Sequence, residues 1–167
     1  MGENIQEIVA AIDQLASVDA VDDLNRLHEL AVQYFACAGA SEYLDVWFRL
    51  YERFPEDDAF GVFWTILHSV EAQPNHGPLV VVSVRRSPSR FPVRMVNRLL
   101  NSGIQQVDGV DLLELLRAVA ANDHCPPEVR EEAAGFLEYQ QSSAGRVERK
   151  RALVIRFQAK PSSPHRR

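Results

Sequence analysis

Apolar residues return at three- and four-residue steps along most of this chain, and glycine or proline breaks the pattern at short intervals. That rhythm turns one face of a helix inward and leaves the other wet, so it specifies a protein of short packed helices. Asn4 to Ala16 places Ile5, Ile8, Ile12 and Leu15 on one face. Asp19 stands where a carboxylate can cap the next helix, whose inward residues are Leu24, Leu27, Ala31, Tyr34, Phe35 and Ala38 before Gly39 stops it. Ser41 opens a third, with Tyr43, Leu44, Trp47, Leu50, Tyr51 and Phe54, and Pro55 interrupts it because proline lacks the amide proton a helix interior needs.

The stretch ERFPEDDAFGVFWTILHSVEAQP then gathers Pro55, Glu56, Asp57 and Asp58 where a first helical turn accepts proline and welcomes negative charge. Phe60, Phe63, Trp64, Leu67 and Val70 follow at helical spacing, with Val62 and Ile66 facing elsewhere, which describes a central helix packed on two sides. The run LVVVSV at 79–84 is rich in β-branched residues, yet no second strand is evident for it to pair with. A short buried helix ending near Arg86 is therefore favoured over a strand. Ser89 should cap a helix with Phe91, Met95, Val96 and Leu99 inward, ending at Gly103. Asp108 or Asp111 opens the next, with Leu112, Leu115, Leu116 and Val119. Pro126-Pro127-Glu128 starts the last, presenting Val129, Ala133, Phe136, Leu137 and Tyr139.

About eight short helices result, with starts near 57, 89 and 126 at a spacing compatible with stacked helical hairpins. The expected architecture is all-α: a compact, HEAT-like stack over residues 1–140, with an irregular orthogonal bundle as the alternative. From 141 to 167 the periodicity fails and eight basic residues face Glu148 alone, which reads as a disordered basic tail.

Chemistry is sparse. The five histidines form no HExxH pair or metal-ligand cluster, and His124-Cys125 reads as a turn beside a small buried thiol. His68 reads as a half-buried imidazole on an apolar helix. No GxSxG elbow, phosphate-cradling glycine loop or GxGxxG turn is present, and adjacent carboxylates such as Asp22-Asp23 diverge on a helix rather than converge on a substrate. Neither enzymatic activity nor a cofactor or metal is expected. The two cysteines lie far apart, no apolar run suits a bilayer span, and acids occupy the N-terminus where a secretion signal needs basic residues. A reduced cytoplasmic protein is the simplest expectation.

Charge is segregated. Residues 1–60 carry 13 acids against Arg26, Arg49 and Arg53, whereas residues 61–100 carry five arginines against Glu71 alone. Two surfaces follow as candidate partner-binding residues. One is acidic: Asp19, Asp22, Asp23, Glu52, Glu56, Asp57 and Asp58, which would suit a basic protein if neighbouring hairpins bring both groups to one rim. The other is a ridge of Arg90, Arg94 and Arg98 at four-residue steps, which either meets a partner's anions or pairs with carboxylates of the same chain. Residues 1–140 hold ten basic against 22 acidic residues, a field that disfavours nucleic acid.

The segments RFPEDDAFGVFWTILHSVE, PSRFPVRMVNRLLNSG, VDGVDLLELL and PPEVREEAAGFLEYQ resemble small all-helical bacterial proteins, the immunity proteins of polymorphic toxin systems. The resemblance spans about residues 20–140 and carries no catalytic motif. It implies a protein that binds and blocks a cognate toxin domain, commonly a nuclease or another enzyme. A helical adaptor without a toxin partner is the alternative.

Overall fold

A computed structural model describes residues 4–142 together with Arg146 and Val147. Its eight α-helices are α1 (Ile5–Asp13), α2 (Val21–Ala36), α3 (Asp45–Arg53), α4 (Val62–Glu71), α5 (His76–Arg86), α6 (Arg90–Asn101), α7 (Leu112–Ala120) and α8 (Pro127–Gln141). Two short 3₁₀ turns, Ala40–Tyr43 and Ala59–Gly61, precede α3 and α4. The domain is all-α, apart from one small hairpin. The basic tail expected over 141–167 lies outside the described residues except for Gln141, Ser142, Arg146 and Val147. No helix among the described residues is long and apolar enough to cross a membrane.

Odd- and even-numbered helices form separate layers. In one, α1 packs on α3, α3 on α5 and α5 on α7; in the other, α2 packs on α4, α4 on α6 and α6 on α8. Within the pairs, α1 packs on α2, α5 on α6 and α7 on α8, so the chain is a two-layered stack of helical hairpins. The core is mostly aliphatic, with a chain of aromatic rings running through it. Tyr34 meets Trp47 edge-on at 5.1 Å and Phe35 stacks on Trp47 at 5.6 Å. Further along, Tyr51 lies between Phe63 and Phe91, and Trp64 abuts Phe91. Offset and edge-on rings of this kind add to the stabilisation that burial supplies.

Local signals explain several helix ends. Asn4 and Glu7 form a reciprocal cap at α1, and Asp111 Oδ1 accepts from the Leu113 and Glu114 amides at α7. Helix α6 ends with Ile104 N donating to Leu99 O and Gly103 N to Leu100 O, while Gly103 takes φ +90°. That paired closure needs a left-handed residue, which glycine supplies without strain.

Other expectations need correction. Helix α1 stops at Asp13, because Arg53 reaches across from α3 and donates to the carbonyls of Ile12, Asp13 and Leu15. Asp19 does not cap α2; its carboxylate accepts from Ser17 Oγ instead, and Ala20 is the cap residue. Ala38 lies beyond α2 and is exposed. The third helix begins at Asp45 rather than Ser41, with the 3₁₀ turn in between. Ser89 holds the cap position of α6, but its buried hydroxyl has no hydrogen-bond partner among the described residues. Tyr139 faces outward, while Gln140 is buried.

The run at 79–84 is helical within α5, with Val80, Val81 and Val84 buried and Val82 exposed. Packing against neighbours outweighs β-branched propensity there. The strands instead are β1 (Gln106–Val107) and β2 (Val110–Asp111), an antiparallel hairpin turning through Asp108 (φ 49°) and Gly109 (φ 76°). Asp-Gly with two positive φ values is a favoured hairpin turn, and the VDGVD segment held that signal.

Two buried phenols generate a test. Burial raises Tyr34, opposed by the Arg49 charge, and the Tyr34 hydroxyl donates to Ala40 O at 2.5 Å. Burial raises Tyr51 well above the ordinary phenol range, with Glu71 adding to the effect. A phenol whose folded pKa is raised contributes stability that is complete below the unfolded value, about 10, and is lost as pH rises beyond it. These two tyrosines are therefore expected to ionise only as helical circular dichroism collapses, with Tyr34→Phe and Tyr51→Phe each removing part of that coupled phenolate absorbance step.

Candidate functional site

Helix α3 ends at Arg53, and the next helix does not begin at the acids. Pro55 to Asp58 form a loop rather than a first turn, and α4 starts at Val62. Asp57 Oδ1 takes the Ala59 amide at 2.6 Å, and Asp58 O accepts from Gly61 N at 2.9 Å and Phe63 N at 3.3 Å. Such local side-chain and carbonyl bonds compete with helix propagation. The chain then runs left-handed through three residues: Ala59 at φ 48°, Phe60 at φ 49° and Gly61 at φ 91°. Gly61 takes this conformation freely, but the other two are strained.

The strain sets the direction of two side chains. Ala59 is fully buried under the loop, while Phe60 is 78% exposed, the most exposed large apolar side chain among the described residues. Phe60 was expected on the inward face of a helix; the left-handed turn points it outward. Glu56 and Asp58 beside it are exposed, and Asp57 is half-buried. An exposed aromatic ring on a loop with exposed carboxylates is a suitable anchor for a basic protein surface. The loop is also tethered. Arg90 donates its backbone N–H to Pro55 O at 2.8 Å and its guanidinium to Glu56 O at 3.0 Å.

The remaining acidic candidates divide. Asp19 and Asp22 are exposed and Asp23 is half-buried, all near the start of α2. Asp22 and Asp23 stand in its first turn, where the helix end favours their charge. No hydrogen bond or ion pair joins this group to residues 56–58 among the described residues. Glu52 is largely withdrawn from solvent: its carboxylate accepts from Ser83 Oγ at 2.6 Å and from two nitrogens of Arg86 at 2.8 Å.

The arginines follow the intramolecular alternative. Arg90, Arg94 and Arg98 do share one face of α6, and each meets a carboxylate of the same chain. Arg94 binds Glu132 of α8 at 2.5 Å and lies over the Trp64 ring at 4.7 Å. Arg90 lies 3.9 Å from Glu132. Arg98 grips Glu71 of α4 through two bonds of 2.6 and 2.7 Å, which raises its pKa further. Sequence reasoning missed the partners of this face, Glu132 and Trp64, because contact between alternate helices leaves no local signature.

The histidines do not converge. His68 is exposed, 3.9 Å from Glu71, rather than half-buried. His76 Nδ1 lies 3.1 Å from Gln73 O, and His124 is exposed in its turn. Among the described residues no group of three His, Cys, Asp or Glu side chains is placed to hold a metal ion. Cys125 is buried, and that burial raises its thiol pKa, which works against reactivity.

No family model matches the chain, and no curated protein or solved structure is detectably similar to it.

Exposure and strain at Phe60 make a direct contrast with Phe63, three residues on and fully buried. In Phe60→Gly, relief of left-handed strain and the greater freedom of the unfolded chain offset each other, so stability should stay within about 1 kcal/mol. Phe63→Ala should cost about 3–5 kcal/mol. Urea denaturation of the two variants checks both values.

Proposed function

We propose that this chain is an immunity protein, which binds a cognate bacterial toxin domain and neutralises it by covering its active site. The exposed Phe60, carried on a strained, acidic loop, is the observation that carries this reading. Strain at an exposed aromatic contributes nothing to the core, and such strain concentrates where a surface does work. The expectation of an immunity protein, drawn from the sequence segments within residues 20–140, motivates the same reading.

The chemistry of the partner follows from the loop. Exposed Glu56 and Asp58 precede Phe60 on the same loop, so the complementary surface is basic with an apolar recess. An enzyme that acts on a polyanion carries such a basic cleft. Occupying it with carboxylates and one ring excludes substrate without any chemistry by the inhibitor, which transforms nothing itself. The carboxylates accelerate encounter, and the buried ring slows release. The toxin acts inside the cell that makes this protein, so the site of action is the cytoplasm.

Co-expression with the toxin domain encoded beside the gene should restore growth of toxin-bearing cells. Phe60→Ala should weaken the purified complex by about 30-fold or more, as expected for a central aromatic anchor, whereas Val32→Ala on exposed α2 should leave it unchanged. Failure to protect against every neighbouring toxin candidate would contradict the proposal. Recovery of several unrelated proteins and no toxin domain would instead favour a HEAT-like adaptor, which the two-layered hairpin stack also suits.

A further inference from the structure

Four of the five arginines between residues 61 and 100 meet carboxylates of the same chain: Arg86 meets Glu52 and Asp45, Arg90 and Arg94 meet Glu132, and Arg98 meets Glu71. Arg85 is the exception. It is exposed, and among the described residues its guanidinium has no hydrogen bond or ion pair.

The odd layer changes character at the same place. Arg49 bridges α3 to α1, and Arg86 with Ser83 bridges α5 to α3. Among the described residues no side-chain hydrogen bond or ion pair joins α5 to α7. A cavity of about 280 Å³ opens between these two helices. Val84, Pro88, Leu115, Ala118 and Val119 line it together with Arg85 and Arg86, and no carboxylate among the described residues does.

The lining defines the ligand. Arg86 is already held by Glu52 and Asp45, whereas Arg85 offers a planar set of donors and a positive charge without a counterpart. A carboxylate matches that fork in shape and charge. The wall beside it is aliphatic and carries no aromatic ring, so the fitting body is a hydrocarbon chain. The volume is smaller than that of drug-sized sites, which suits a short chain. Val84 and Val119 stand in the last turns of α5 and α7, where the partial negative charge of helix ends disfavours a second anionic group.

We infer that the α5–α7 cavity binds a short aliphatic monocarboxylate, its carboxylate on Arg85 and its chain against Val84, Leu115 and Val119. The ligand supplies the anion that the chain itself provides at the α1–α3 and α3–α5 joints. The site is distinct from the Phe60 loop and does not depend on the toxin reading.

The probe is hexanoate, titrated into the full-length protein while valine and leucine methyl signals are followed by NMR. The Val84, Leu115 and Val119 signals, assigned by single substitutions, should shift together and saturably, with a dissociation constant of about 5 mM or tighter. The signals of fully buried Leu27 on α2 should stay in place. Arg85→Gln alters an exposed side chain that holds nothing else, so the variant should fold and bind about fivefold or more weakly. Hexanamide, which lacks the charge, and acetate, which lacks the chain, should each lose a similar factor. Arg117→Gln, on α7 but paired with Glu114, should leave the affinity unchanged. Absence of a saturable shift at the three residues, equal affinity of Arg85→Gln and parent, equal affinity for hexanoate and either truncated probe, or an equal loss in Arg117→Gln would each overturn the inference.

Discussion

Arginine bridges between alternate helices fix how this stack is assembled. Arg49 of α3 binds Asp13 of α1 and Asp45 on its own helix, and Arg86 of α5 binds Asp45 and Glu52 of α3. One unbroken ladder of charges thus crosses α1, α3 and α5 in the odd layer. In the even layer, Arg98 ties α6 to α4 and Arg94 ties α6 to α8. A guanidinium can grip two carboxylates at once, which a lysine ammonium does with less geometric definition. The chain has no lysine before Lys150, in keeping with that use. Exposed pairs are individually worth about 0–1 kcal/mol, so apolar burial supplies the stability and the bridges fix which helix faces lie side by side.

This use of positive charge shapes what remains for the surface. Most of the described arginines are engaged within the chain, while Asp19, Asp22, Glu56 and Asp58 stay exposed. The acidic character of the first third therefore reaches solvent, but the basic character of the α6 ridge largely does not. Arg90 links the two regions: it belongs to the ridge by sequence, yet its backbone and guanidinium hold the loop that displays Phe60.

Helix identity was legible because each helix carries its own apolar period and several have local boundary signals, such as Gly103 after α6 and Pro127 at the start of α8. Glu52 and Glu132 were not readable as structural partners, since their arginines lie 34 and 38 residues away. The acids at 56–58 have the composition of a first turn; Asp57 instead captures the Ala59 amide and Gly61 permits a left-handed reversal, a competition that composition does not decide. Phe60 looked like core for the same reason. Asp108 was expected as a possible helix start; with Gly109 it forms a hairpin turn instead, between strands of two residues each that are too short to show an alternating pattern.

Native-state hydrogen exchange on the full chain, followed at increasing urea, tests the central claim that the shared apolar core, registered by these bridges, holds the hairpins as one unit supporting the Phe60 loop. The slowest amides of α1, α3, α4, α6 and α8 should converge on a single opening free energy, the same as that of global unfolding. Separate opening of α1–α2 or α7–α8 at a distinctly lower free energy, with the remaining helices still protected, would contradict it.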